Sequence, residues 1–289
     1  LRRVKVLHIE PTDVCQLACP LCARETDPNF NKSNKHQLKI EHIQRKFSDR
    51  VIKGLDKMFM CGDYGDPAAG YYTLEIYRYF RTVNPDIVLG MNSNGALQST
   101  FWWYELGKLF NQPKDYCVFS IDGLEDTNAI YRKNSNWAKL MSNVESFIAA
   151  GGKAHWDMLV YRHNEHQVDA CEQLAREMGF KWFRAKVSKR PLVDRLEAPV
   201  HWQLPVVETT GKIECHALAE KSMYMDAQGR LSPCCWLGSR QTDFITDDLA
   251  TVKETWRTDN PNPVCARNCS KQLSKTAFET QWQREIQLS

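Results

Sequence analysis

The stretch "PTDVCQLACPLCARE", residues 11–25, decides how this chain is read. Cys15, Cys19 and Cys22 stand in C-x3-C-x2-C spacing, and the next cysteine is Cys61. A structural zinc site takes four ligands and is closed, so three thiols make a poor one. An iron–sulfur cubane takes one thiolate per iron, so three leave one iron open to a ligand that is not protein. The stretch follows "VKVLHIE" (4–10), which reads as a strand. The open corner is thereby placed at a strand's carboxyl end, where (β/α) barrels keep their active sites.

Outward from this loop, strand-like runs alternate with helical periodicity. "KMFMCG" (57–62), "IVLGMNS" (87–93), "CVFSID" (117–122), "HWDMLVY" (155–161) and "FRAKVS" (183–188) read as further strands. Ile40, Ile43 and Phe47 mark one helix, and Ile76, Phe80 and Val83 another. Trp137, Met141, Val144 and Ile148 mark a third, closed by Gly151. Asn164 with Gln167 reads as a capping box opening a helix to Met178, with Gly179 after it. The alternation implies a parallel sheet with crossover helices. Six units in residues 1–190 suit a partial (β/α)6 TIM-like barrel, and a doubly wound open sheet is the competing layout. Residues 191–212, rich in proline and without period, read as a linker. Residues 213–289 read as a smaller domain, with a hairpin turning at "DAQG" and Phe278, Trp282 and Ile286 at helical spacing.

The 289 residues are 43% hydrophobic and 25% charged, ordinary for a globular protein. The net charge of +3 comes from interspersed acids and bases, with no basic stripe to suggest nucleic acid. No run approaches the roughly 18 apolar residues of a membrane span. With no secretory segment before the first strand, a cytoplasmic protein with reduced thiols is expected, and clustered cysteines read as metal ligands before disulfides. Cys117 and Cys171 lie in apolar patterns and read as structural.

Three other segments end predicted strands. "CGDYGDP" (61–67) carries Gly65, Asp66 and Pro67, "MNSNGA" (91–96) carries Ser93 and Asn94, and "FSIDGLEDTNAIYR" (119–132) carries Ser120, Asp122, Gly123 and Arg132. Together with the cysteine loop they resemble the radical SAM superfamily, whose CxxxCxxC signature follows the first barrel strand. The resemblance implies a [4Fe–4S] cluster on Cys15, Cys19 and Cys22, with S-adenosylmethionine (SAM) on the open iron. Reductive cleavage of SAM would yield a 5′-deoxyadenosyl radical that abstracts a substrate hydrogen. Tyr64-Gly65-Asp66-Pro67 resembles the GGEP motif that receives the SAM amino group, with Asp for Glu and Tyr for the first Gly. Ser93 and Asn94 match the TNG segment near the ribose and carboxylate. Ser120 and Arg132 match residues suited to the methionyl carboxylate. Leu21 stands where the superfamily often has an aromatic residue against adenine.

Cys215, Gly229 and Cys234 give C-x13-G-x4-C, and "CARNC" adds Cys265 and Cys269. This resembles the auxiliary-cluster domains called SPASM and, in shorter form, twitch. Four ligands imply one auxiliary [4Fe–4S] cluster, twitch style, although CxxxC replaces the usual CxxC. A four-cysteine zinc site accepts the same ligands. Neighbours on an extended strand face opposite ways, so one of Cys234 and Cys235 reaches the cluster; the motif picks Cys234.

On the substrate side, His8 and Glu10 share a face of the first strand. His155, Asp157 and Tyr161 share one of the fifth, and Arg184, Lys186 and Ser188 one of the sixth. Facing inward, these would line a polar pocket with anchors for an anionic group; facing outward, they would form salt bridges beneath the helices. Glu10, Tyr161 and Arg184 are the candidate pocket residues, with Arg162 and His163 at the same strand end as Tyr161. The reaction expected is an oxidation assisted by the auxiliary cluster, fed by an external donor of flavodoxin or ferredoxin type. A small polar metabolite is favoured over a peptide, because no peptide-binding segment precedes the barrel pattern. The rival of another class is a non-catalytic iron–sulfur carrier or a zinc-stabilised binding module.

Overall fold

The computed structural model describes residues 4–190, 192, 196–203, 213–240, 261–269 and 282–288. Strands β1 (Val6–Ile9), β2 (Lys57–Met60), β3 (Val88–Ser93), β4 (Tyr116–Ser120), β5 (Ala154–Val160) and β6 (Trp182–Val187) lie side by side in sequence order, each parallel to the next. A doubly wound sheet reverses its winding at a switch point. This order never reverses, so the competing layout is excluded. Short helices α1 (Ala23–Thr26), α2 (Ile40–Lys46) and α3 (Asp49–Ile52) connect β1 to β2. The later crossovers are α4 (Thr73–Val83), α5 (Thr100–Leu109), the pair α6 (Asn128–Tyr131) and α7 (Trp137–Ala149), and α8 (Val168–Met178).

The period-2 pattern of each strand decides what the helices cover. Leu7, Ile9, Met58, Met60, Leu89, Met91, Cys117, Phe119, Trp156, Met158 and Phe183 are fully buried in one core with Ile43, Phe47, Ile76, Phe80, Trp103, Phe147 and Cys171. Each such side chain contributes about 1.5–3 kcal/mol by leaving water, and Cys117 and Cys171 are simply part of this packing. The alternate residues His8, Lys57, Phe59, Tyr116, His155, Asp157, Arg184 and Lys186 are half-buried on the opposite, concave face. The polar strand faces therefore point away from the helices, and salt bridges beneath the helices are excluded for them.

Beyond β6, α9 (His216–Ala219) leads into a hairpin of β7 (Ser222–Met225) and β8 (Leu231–Ser232), turning at 226–229 with Gly229 at φ +76°. β7 runs parallel to β1 and extends the same sheet. Helices α10 (Cys235–Arg240) and α11 (Pro263–Cys269) follow. At the other edge β9 (Arg284–Gln287) pairs antiparallel with β6, giving the order β8-β7-β1-β2-β3-β4-β5-β6-β9.

Two local expectations are corrected. Trp282 and Ile286 belong to the extended segment around β9, not to a helix; their spacing of four fits either structure when the partner is a sheet edge. Phe278 lies outside the described residues. Asn164 and Gln167 form no capping box. Asn164 accepts Tyr161 N–H and donates to the Asp122 and Leu159 carbonyls, while Gln167 accepts Leu124 N–H. A 3-10 turn (Glu165–Gln167) precedes α8, which closes on Gly179 at φ +84°.

Candidate functional site

The cysteine loop leaves β1 through Glu10 and is held at its entry by the 36–38 segment. Thr12 Oγ1 donates to the His36 carbonyl (2.8 Å), and Asp13 accepts His36 N–H (2.9 Å) and meets His36 Nδ1 (2.6 Å). Cys22 N–H donates to the Cys19 carbonyl, a turn that starts α1. Cys19 is buried in an apolar cluster with Leu17, Leu21, Tyr131, Tyr161 and Leu196, while Cys15 and Cys22 pack at its rim, half-exposed. Leu21 thus lies inside this cluster. Burial pushes the Cys15 thiol up to about 12, with Asp66, Cys19 and Cys22 adding to it. Burial raises Cys19 as well, against the nearby Arg132 guanidinium.

Neighbouring strand ends form a continuous network around this loop. Glu10, 2% exposed, accepts Tyr64 N–H (2.8 Å) and Gly65 N–H (2.9 Å) on one oxygen and the Tyr224 hydroxyl (2.5 Å) on the other. Burial, and then Asp63, push its carboxyl up to about 8. A side chain at Gly65 would run into the Thr12 carbonyl, so glycine lets the 62–66 loop lie directly on the cysteine loop. Asp66 N–H donates to the Val14 carbonyl across that contact. The Asp66 carboxylate accepts Ala68 N–H, Ser93 Oγ–H, Asn94 N–H and Asn94 Nδ2–H at 2.6–2.9 Å. These four donors occupy its roughly four lone-pair positions, so Asp66 ties β2 to β3. Pro67 opens the 3-10 turn that Asp66 caps.

Asn94 carries the network back to the cysteines. Its Oδ1 accepts Gln16 Nε2 (2.8 Å), and its Nδ2 lies 3.8 Å from Cys15 Sγ. Across the loop, buried Asp122 accepts Arg132 Nε (2.6 Å) and Leu159 N–H (2.6 Å). Asp122 and Cys19 hold Arg132 protonated despite its burial. Ser120 ends β4, half-buried on the concave face. Beside Cys15 a cleft of about 290 Å³ opens between Val14, Gln16, Ala69, Leu97 and Gln98. Gln16, Tyr224 and Arg190, whose Nη1 donates to the Leu21 carbonyl, were not singled out from sequence. Gln16 carried a signal, sitting between two spaced cysteines; the other two did not.

The structure also gathers the later cysteines. Cys265 and Leu237 form a small apolar cluster with Cys234, Ile213 and Val264. Cys215, Cys265 and Cys269 all lie near Cys234, and burial pushes Cys234 up to about 12 and Cys269 up to about 11. Glu214 N–H donates to the Cys269 carbonyl, joining the two segments. Cys235 faces a different set, Asp63 and Cys61 near the β2 end. Among the described residues no three His, Cys, Asp or Glu side chains are close enough to share a single metal ion. The thiols thus gather in two groups, one at the end of β1 and one beside the β7–β8 hairpin.

On the concave face, His8 stacks on Phe59 at 4.4 Å, Lys57 lies over Phe59 and Tyr116, and Tyr116 stacks on His155. Arg184 Nε donates to Asp157 (2.7 Å). Tyr161 is buried between Tyr131 and His163, whereas Arg162 pairs with Glu197 at the surface.

Solved structures of matching architecture bind SAM. SuiB of Streptococcus suis bound to its precursor peptide SuiA aligns with a TM-score of 0.61 and 14% identity, over 98% of this chain and 70% of SuiB. SuiB bound to S-adenosylmethionine gives 0.57 and 13%, over 89% of this chain and 66% of that one, just under two thirds. The chain has the fold of the radical SAM enzymes. A third match, anSMEcpe with bound AdoMet and Cp18Cys peptide, aligns at 0.56 and 14%, over 80% of this chain and 73% of that one. No protein-family model and no curated protein matches the sequence.

Proposed function

We propose that the chain is a radical SAM enzyme whose Cys15, Cys19 and Cys22 hold a [4Fe–4S] cluster with one iron left for SAM. The observation that carries this reading is the grouping of buried Cys19 with half-buried Cys15 and Cys22 at the end of β1, walled by Asp66, Asn94 and Arg132 and bordered by the cleft at Cys15. When bound, cluster and SAM supply a 5′-deoxyadenosyl radical that takes a hydrogen atom from substrate. The chain's own residues do the positioning. Gly65 and Asp66 set the 62–66 loop against Thr12 and Val14, Asn94 and Gln16 fix the Cys15 side, and Asp122 aims Arg132 at the Cys19 side. With its carboxylate filled by four donors, Asp66 serves to hold its loop in place. Leu17, Leu21, Tyr131 and Tyr161 exclude water from the same side.

Cys215, Cys234, Cys265 and Cys269 would hold an auxiliary [4Fe–4S] cluster that takes an electron from the substrate radical or relays it, so the net reaction is an oxidation supported by an external electron donor. Arg184 would border a substrate on the concave face, with Tyr161 at the end of β5 walling it, whereas Glu10 is filled by Tyr64, Gly65 and Tyr224 and holds its loop. A small polar metabolite fits that face. The second reading, a peptide substrate, is favoured by the peptide complexes of SuiB and anSMEcpe.

Anaerobic reconstitution tests the whole reading. About eight irons per chain are expected, four per cubane, with 5′-deoxyadenosine released from SAM under reduction. Cys19→Ala should abolish that release, whereas Cys269→Ala should spare it and stop substrate turnover. Release that persists in Cys19→Ala overturns the assignment.

A further inference from the structure

The sixth strand gathers positive charge on the side facing the cysteine loop. Arg184 and Lys186 stand on the concave face of β6, and Lys189 and Arg190 follow at its carboxyl end. Among the described residues, Asp157 accepts Arg184 Nε at 2.7 Å, and Glu285 is paired in register with Arg184. Burial, reinforced by Lys189, Arg184 and Arg190, brings Lys186 down to about 8 in spite of Asp157. Four cationic side chains thus stand together at this edge of the sheet.

This patch is also built. The Trp282 ring lies 4.7 Å from the Arg184 guanidinium carbon and 4.3 Å from Lys186 Nζ, a shared cation–π face that fixes both heads. Trp282 is held by its neighbour Gln283, whose N–H donates to the Ala185 carbonyl and whose Oε1 accepts Val187 N–H at 2.7 Å. At the end of adjacent β5, the Tyr161 hydroxyl is buried beside Ser188 and Tyr131. Arg190 reaches the Leu21 carbonyl, so the patch runs up to the cysteine loop.

We infer that Arg184 and Lys186 bind an anionic group of the substrate, a carboxylate or a phosphate, and so present the rest of it to the Cys15–Cys22 loop. This deepens the function proposed above and rests on its placing the substrate on the concave face. A desolvated cation cluster gains charge-assisted hydrogen bonds when an anion enters, and the Arg fork with an adjacent ammonium suits both oxyanion types. Arg184 and Lys186 are specificity residues in this account; no chemistry is assigned to them.

The test is calorimetric titration of the iron-loaded protein, SAM present, at ionic strength fixed with sodium chloride. Succinate, inorganic phosphate and neutral succinamide are the probes. One anion is expected to bind one-to-one while succinamide does not, and whichever binds identifies the group. Lys186→Met should weaken that binding about ten- to a hundredfold, the loss expected for a charged hydrogen bond. Arg184→Gln should act in the same direction, but it strands Asp157 and can unfold the chain, so Lys186→Met is the deciding variant. Absence of saturable binding by either anion, or unchanged binding in Lys186→Met, overturns the inference. So does equal suppression by added chloride in both proteins, which marks an ion atmosphere only. Release of 5′-deoxyadenosine in the same samples reports separately on the radical SAM reading. Cleavage without anion binding sinks only this inference; anion binding without cleavage sinks only that function.

Discussion

Asp66 shows how a residue singled out for one task takes another once its neighbours are known. Four donors fill its carboxylate, and Glu10 is filled in the same way by two backbone amides and Tyr224. These buried acids fasten the loops that surround the cysteines. Gly65→Ala should therefore cost about 1–3 kcal/mol, the usual range for forcing atoms into a packed site, and should lower iron incorporation, read as the iron-to-protein ratio after reconstitution. Glu10 gives a pH prediction. Its pKa is raised in the fold, from 4.5 to about 8, so the folded chain holds a proton that the unfolded chain has released. The stabilisation is complete below about pH 4.5 and is lost as pH rises through 8. Glu10→Gln keeps the acceptor for Tyr64 and Gly65 and should flatten the fall in thermal midpoint between pH 5 and 8, a difference on the order of a few kcal/mol. An unchanged slope would count against this account of Glu10.

At the scale of elements, the hairpin and α10 tie the late cysteines to the parallel sheet. β7 pairs with β1, and α10 lies so close that a side chain on Gly238 would enter the Tyr224 ring and press on Ser232. Gly238→Ala should lift α10 and reduce iron at the second cysteine group while SAM cleavage persists. The adjacent pair makes a sharper case. Cys234 lies with Cys215, Cys265 and Cys269, and Cys235 faces Cys61 and Asp63. Cys234→Ala should lower the iron from about eight to about four per chain, and Cys235→Ala should leave it unchanged; the reverse result would exchange their roles.

At the scale of the whole molecule, one group of cysteines lies within a single loop and the other joins segments from 215 to 269, so metal loading should couple to stability. Loaded protein should melt above its chelated form, because ligands that bind only the folded state stabilise it by mass action; equal midpoints would argue that the cysteine loops are held by protein contacts alone. Much of this organisation was legible in the sequence. Six strands, their order in the chain, the cysteine spacings and the glycine after α7 follow from local periodicity and turn chemistry, which a linear pattern records directly. Where Asn164 and Gln167 point, whether 282–288 is helix or strand, and which acid is already saturated depend on partners remote in sequence. Trp282 lies beneath Arg184, nearly a hundred residues away, and Tyr224 meets Glu10 across the β7–β1 pairing. By itself the sequence determined the strand–helix alternation and the three-thiol loop, because side-chain period and ligand spacing are properties of neighbouring residues. The tertiary structure alone decided the winding direction, the inward turn of the polar strand faces and the pairing of the buried charges, because burial and Coulomb energy are settled only when distant segments meet.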